Sequence, residues 1–264
     1  MNRALALSFV LAAFPALASP PSKEVHKTLP LSADGRVAVS TYKGSVTVAA
    51  WDRAEVDVRA RVEADEGCGS EATKRKWVDQ TEVRIEGSTA SVRIESDYDR
   101  LDPEREVWGF FGSCTSRPFV HYTLQVPRTV KLSIKDYKSA LNLGPMRSEM
   151  EIDTYKGTVE ITGLDGSLDL TTYKGEARVA FAHLAGSSRL DTYKGDIEVA
   201  LPKQEGFDLH AATDRGGDFR SDFEVSARIR SHRWSESRVS GSVNGGGPEL
   251  ALKTKKGRLS LRAR

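Results

Sequence analysis

Tyrosine followed by lysine recurs at a fixed step, and these two side chains are where binding chemistry would sit. The tetrad Thr-Tyr-Lys-Gly stands whole at Thr41–Gly44, Thr154–Gly157, Thr172–Gly175 and Thr192–Gly195. Altered copies occur at Asp136–Ser139, Thr213–Gly216 and Thr254–Gly257. A row of phenol rings suits the faces of sugars, and a row of ammonium groups suits an anionic polymer. The candidate binding residues are therefore Tyr137, Tyr155, Tyr173 and Tyr193, with Lys138, Lys156, Lys174 and Lys194 beside them. The competing reading is structural. Stacked rings would hold a turn edge while flexible lysines splay into water.

A second candidate is the segment around Trp108, Phe110 and Phe111, next to Cys114. Long loops tend to carry function, so these aromatics form either a contact patch for a partner or a lid over the end of the fold. Catalytic chemistry finds no support. The histidines His26, His121, His183, His210 and His232 form no His-x-His or His-Glu-x-x-His ligand pair. No Gly-x-Ser-x-Gly elbow is present. Gly245-Gly246-Gly247 lacks the lysine and helix start of a phosphate cradle and reads as a turn. No catalytic residue, metal site or cofactor is expected.

The elements that position these residues follow from periodicity. From Tyr137 the steps to Tyr155, Tyr173, Tyr193 and Asp214 are 18, 18, 20 and 21 residues. Such a period marks stacked repeats. Apolar residues alternate before each tyrosine, as in Met150-Ile152-Thr154 and Leu168-Leu170-Thr172, and after it, as in Val159-Ile161 and Ile197-Val199. Alternation with period two is the mark of half-buried strands. Each repeat thus reads as strand, turn at Tyr-Lys-Gly, strand, second turn. Trp51, Met146, Leu164 and Leu184 fall at the second turn and read as corner residues pointing inward.

The fold class is all-β. The expected architecture is a parallel β-solenoid with rungs of about 18–21 residues and two strands per rung; a two-sheet β-sandwich is the alternative. Signs of charge favour the solenoid. Equivalent positions alternate as Glu160, Arg178, Glu198 and as Asp169, Arg189. Opposite charges support pairing only if those positions are cross-strand neighbours.

Residues 1–18 have the layout of a secretory signal peptide, with Arg3, an apolar stretch to Leu17 and a small-residue site at Ala16-Leu17-Ala18. Residues 19–264 then form a single solenoid domain, with an irregular N-terminal part and an insertion at about 63–119. No transmembrane segment is expected after cleavage. A net charge of +2 gives no basic field for nucleic acid. In an exported chain the two cysteines, Cys68 and Cys114, favour a disulfide over free thiols or a metal pair.

Several stretches resemble a bacterial family known as putative adhesins, β-strand-repeat domains of unassigned function. They are Ala49–Arg53 with Val56-Asp57-Val58, Val126-Pro127, the repeat units from Asp153 to Val199, and Val243–Pro248 leading into Leu250-Ala251-Leu252 and Thr254–Leu261. The resemblance implies a periplasmic or surface location and adhesion. It supplies no catalytic residues. Tyr-Lys at the turn departs from relatives, which more often carry Ser, Asn or Asp there. Together these features predict an exported, non-enzymatic protein that binds an envelope polymer or an envelope protein through the Tyr/Lys ladder. A purely structural or self-associating envelope protein is the alternative, and a polysaccharide-active enzyme is a third.

Overall fold

The computed structural model describes residues 20–67, 69–101, 116–214, 217–233 and 236–264. The predicted signal peptide, Cys68, Cys114, Trp108, Phe110 and Phe111 lie outside the described residues. In chain order the elements are β1 (Ser22–Pro30), β2 (Arg36–Ser40), β3 (Lys43–Trp51), β4 (Glu55–Glu63), α1 (Glu71–Gln80), β5 (Glu82–Gly87), β6 (Ser91–Asp97) and β7 (Phe119–Pro127). There follow β8 (Lys131–Leu143), β9 (Met146–Leu184), β10 (Ser188–Lys194), β11 (Ile197–Leu201), β12 (Phe207–Asp214) and β13 (Asp218–Ser221). The chain closes with β14 (Ser226–Arg233), β15 (Glu236–Val243), β16 (Glu249–Lys256) and β17 (Arg258–Ala263).

Pairing between successive repeats is parallel and in register. Leu132 faces Met150, Ile134 faces Ile152 and Leu141 faces Val159. Leu190 faces Leu170 and Val199 faces Val179. An antiparallel meander would not bring equivalent positions together, so the chain is a β-solenoid. β9 runs through two whole rungs without a break in extended structure. The strands before the tyrosine form one ply and those after it a second. Inward residues such as Val37, Ile134, Leu170, Val46, Val159 and Val199 are at most 2% exposed and belong to one contiguous core. Burying each such side chain contributes about 1.5–3 kcal/mol.

The predicted charge register is present, but Arg178 and Arg189 form their ion pairs along their own strands. Arg189 lies opposite Asp169 and Glu198 opposite Arg178. Arg178 nevertheless pairs with Glu176 at 2.7 Å, and Arg189 with Asp191 at 3.5 Å. Met146, Leu164 and Leu184 are corner residues in the core, as expected. Trp51 corrects that expectation. It is only half-buried, donates its indole N–H to the Glu55 carbonyl at 2.8 Å and carries the Arg53 guanidinium over its ring. An indole with a polar tip is well placed where one side is wet.

Rungs do not stack throughout in chain order. β2 and β3 lie between β6 and β7 on one side and β8 on the other. At the far end β16 and β17 lie between β10 and β11 on one side and β12 and β13 on the other. The Thr213 copy is therefore not the neighbour of Thr192; the Thr254 copy is. Only the central rungs, from β8 to β11, follow one another as the sequence does.

The ends turn antiparallel. β1 pairs with β4, β4 with β7, and β5 with β6 as a hairpin. β12, β15 and β14 form an antiparallel set at the other end. α1 starts where the Ser70 hydroxyl accepts from the Thr73 N–H, and it buries Trp77 and Val78. From the edge strand β1, Lys23 donates to the Asp79 carbonyl and Lys27 to that of Ile85. Lysine on an edge also discourages pairing with other chains.

Candidate functional site

The turn tetrad divides into two inward and two outward requirements. The threonine stays in phase with the core strands, and Thr154, Thr172, Thr192 and Thr254 are at most 4% exposed. The hydroxyls of Thr172 and Thr192 are buried with no hydrogen-bond partner. The glycine is fixed by close approach. A Cβ on Gly157 would lie 1.9 Å from the Ser139 carbonyl oxygen, one on Gly175 1.9 Å from that of Gly157, and one on Gly195 1.7 Å from that of Gly175. No side chain fits between those backbones.

Asp136 and Ser139 replace threonine and glycine in one rung and compensate each other. The Asp136 carboxylate accepts from the Ser139 N–H at 2.8 Å, the Ser139 hydroxyl at 2.6 Å and the Thr154 hydroxyl at 2.8 Å. Burial pushes its carboxyl above the usual range, against the lowering effect of those hydrogen bonds.

The tyrosines form a continuous stack. Ring centroids are 4.7 Å apart for Tyr42–Tyr137, and 4.9 Å for Tyr137–Tyr155, Tyr155–Tyr173 and Tyr173–Tyr193. Planes differ by only 4–10°. The row begins at Tyr42, not at Tyr137 as the chain-order reading has it, because the first tetrad is inserted next to β8. Tyr98 meets Tyr42 edge-on at 6.0 Å, and the Arg117 guanidinium covers Tyr42 at 4.3 Å. At the other end Lys255 takes the tyrosine position of its rung and lies 5.7 Å from the Tyr193 ring centre.

This packing revises the chemistry. Ring faces are spent on one another, so no sugar can lie flat on them. Tyr137, Tyr155 and Tyr173 are each 38% exposed, through their edges, and Tyr193 is half-buried. Lys138, Lys174 and Lys194 are exposed and Lys156 is half-buried. Lys156 and Lys174 lie 5.3 and 5.6 Å from the ring centres of their own tyrosines, a range in which cation–π attraction operates.

Lys43 leaves this column. It is buried, with its ammonium 2.7 Å from Asp65, 2.8 Å from the Ser116 hydroxyl and 4.1 Å from the centre of the Phe119 ring. The hydrogen bond from Lys43 holds the Asp65 carboxyl well below the usual carboxylate range. Sequence reasoning missed this cluster, since Asp65 and Ser116 are distant in the chain and belong to no repeat.

Beside the stack, on the ply before the tyrosines, runs an open groove of about 510 Å³. Its outer wall is one column of residues two positions before each tyrosine: Lys135, Asp153, Thr171, Asp191 and Lys253. Its other wall is the row of phenol edges from Tyr155 to Tyr193, ending at Lys255. Asp191 is shared between Arg189 and Lys253, the latter at 3.7 Å. Carboxylates, hydroxyls and ammoniums along one line can hydrogen-bond a polyhydroxylated chain laid lengthwise. Among the described residues no three His, Asp or Glu side chains gather as metal ligands. His26, His121, His183 and His210 each bond a single neighbour: Asp57, Ser45, Glu205 and Ser240. No described helix is long and apolar enough to cross a membrane.

The family model described as Toastrack DUF4097 matches residues 130–262, from β8 to the last strand. No curated protein matches the chain. Among solved structures, a "putative cell adhesion protein" from Clostridium sporogenes ATCC 15579 is similar at 9% identity and a TM-score of 0.47, covering 92% of this chain and 100% of that one. A "putative adhesin" from Bacteroides fragilis NCTC 9343 is similar at 7% identity and a TM-score of 0.34, covering 90% and 97%. At TM-scores below 0.5 these remain likenesses and nothing more.

Proposed function

This chain belongs to the Toastrack DUF4097 family, and from that premise we propose that it is an exported, non-enzymatic module that binds an extended cell-envelope polymer along its tyrosine edge. The carrying observation is the groove beside the stack, lined by Lys135, Asp153, Thr171, Asp191 and Lys253 and by phenol edges. The polymer lies parallel to the stack axis and meets edges, hydroxyls and charges instead of ring faces. Adhesion is the biological form of this activity. Export by the signal peptide at residues 1–18 places the protein in the periplasm or outside the cell, where a Cys68–Cys114 bond forms. Asp65 and Ser116, close in the chain to these cysteines, are hydrogen-bonded to each other.

The test is cosedimentation of the mature protein with purified envelope polysaccharide. Asp153→Asn with Asp191→Asn removes the two carboxylates of the groove's outer wall, and Lys156→Gln, Lys174→Gln and Lys194→Gln removes three ammoniums of the lysine row. All five side chains point outward, so folding is retained. Loss of binding in the aspartate variant supports the groove. Undiminished binding in both variants overturns it. A structural role for the stack has its own support in the face-to-face packing, and it is compatible with a groove alongside.

A further inference from the structure

A second depression, of about 310 Å³, opens on the outer surface of the same ply, over β6, β2, β8 and the start of β9. Register makes its plan legible. Ala38 on β2 faces Arg93 on β6 and Ser133 on β8. Ala38 and Ser133 are small, so they form a floor where neighbouring positions carry long side chains. One step down the strands, Arg36 faces Lys131; one step up, Ser40 faces Lys135. Four cations, Arg36, Arg93, Lys131 and Lys135, therefore surround this floor.

Two of the four are committed elsewhere. Lys131 pairs with Glu149 at 2.6 Å, and Arg93 stands 3.6 Å from Glu95. Arg36 adds its charge to the Glu149 carboxylate without a direct ion pair, and the Lys135 side chain has no ion pair or hydrogen bond among the described residues. Their positions differ by two steps of side-chain alternation, so each lies about 7 Å along the strand from the floor. Both side chains are long enough to reach an ion held over Ala38 and Ser133. Arg93 approaches from the side, and beneath stands the Ser133 hydroxyl, which donates to Glu151 at 3.5 Å and would turn from it to the ion. Donors then arrive from several directions, which fits a tetrahedral oxyanion better than a planar carboxylate. Glu149 and Glu151 form the β9 rim and oppose a doubly charged group. Lys135 also lines the groove beside the tyrosines, so the two sites meet at one residue.

We propose that this depression is a subsite for a singly charged phosphodiester, carried by the same polymer that occupies the tyrosine groove. The polymer class is thus a polyol or saccharide chain linked or decorated through phosphodiesters. The inference rests on the groove reading for the polymer's path, while the subsite shares only Lys135 with the groove and has Arg36, Arg93 and Ser133 to itself.

The mature protein is titrated with poly(glycerol phosphate) and with neutral dextran of matched length. Arg36→Gln with Arg93→Gln, which leaves the groove residue Lys135 in place, is compared with a charge-matched control, Arg147→Gln with Arg178→Gln, outside both sites. The expected result is about a tenfold loss of affinity for poly(glycerol phosphate) in the first variant, as fits two charged contacts. Dextran binding and the control variant stay unchanged. Equal losses in the first variant and the control, no loss in either, or no binding of poly(glycerol phosphate) by the unmodified protein overturns the subsite. If poly(glycerol phosphate) shows the expected loss but is indifferent to Asp153→Asn with Asp191→Asn, the subsite stands and the groove fails. If dextran binding depends on those aspartates while Arg36→Gln with Arg93→Gln changes nothing, the groove stands and the subsite fails.

Discussion

A methyl group at position 175 would sit 1.9 Å from the carbonyl oxygen of Gly157, and both atoms belong to backbones locked in parallel register. Gly175→Ala is therefore expected to destabilise by about 3 kcal/mol or more, read as a lower urea midpoint. Gly245 gives the contrast: it has φ +90° but nothing within 4 Å of a Cβ, so Ala there costs about 1–2 kcal/mol. Lys43 is the other residue with a sharp prediction. Lys43→Met leaves Asp65 without its ammonium and is expected to cost about 2 kcal/mol at neutral pH, less than for a fully buried pair because Asp65 keeps some solvent. The Asp65 carboxyl has its pKa lowered in the folded state. Its stabilisation is complete above the unfolded value near 3.8 and is lost as pH falls through the lower folded value. Urea midpoints measured downward from pH 6 should show a constant gap between the two proteins, which starts to close only below the unfolded value near 3.8. A gap that closes at higher pH would remove Asp65 as the cause. The place of Lys43 could not be read from the tetrad, because the lysine of an identical motif looks the same whether it faces water or Asp65.

At the scale of an element, the tyrosine stack behaves as a rod. Each stacked aromatic pair contributes about 0.5–1.5 kcal/mol beyond area burial. Tyr155 has a ring on both faces, whereas Tyr193 has a ring on one and lysines near the other. Tyr155→Ser should then cost more than Tyr193→Ser, and equal thermal shifts for the two would count against stacking as the source. The strands themselves were legible. Thr154, Thr172 and Thr192 fix the inward phase, the tyrosines follow outward, and sign-alternating positions such as Arg178 and Glu198 fall side by side. The groove was not legible as a groove. Its outer wall, from Lys135 to Lys253, is composed of unlike residues, and only the observed rung order sets Lys253 beside Asp191. Sugar stacking was the wrong chemistry for the same ladder because a period in sequence does not say whether a ring's face or its edge meets solvent.

For the whole molecule the interleaved ends matter most. A chain-order solenoid that lost its last rung would lose only an end. Here β16 and β17 are flanked on both sides, and Leu250, Leu252, Leu259 and Leu261 are fully buried between neighbours. A chain ending at Gly247 should lose protection through β12, β13 and β15 as well, seen as fast amide exchange across residues 207–243. Exchange confined to a few residues near the cut would contradict the interleaving. Sequence could not reveal this order, because the tetrads at Thr41 and Thr254 share the phase of every other copy and carry no mark of which neighbour each will choose. The arrangement also constrains how such a molecule can change over generations. A duplicated unit of about eighteen residues can be spliced between β8 and β11, where chain order and spatial order agree, and each addition lengthens the body by about 4.8 Å. A duplication at either end would instead have to displace a strand already wedged between two others. The protein can grow from its middle while its ends stay fixed, like a bookshelf extended between two bookends.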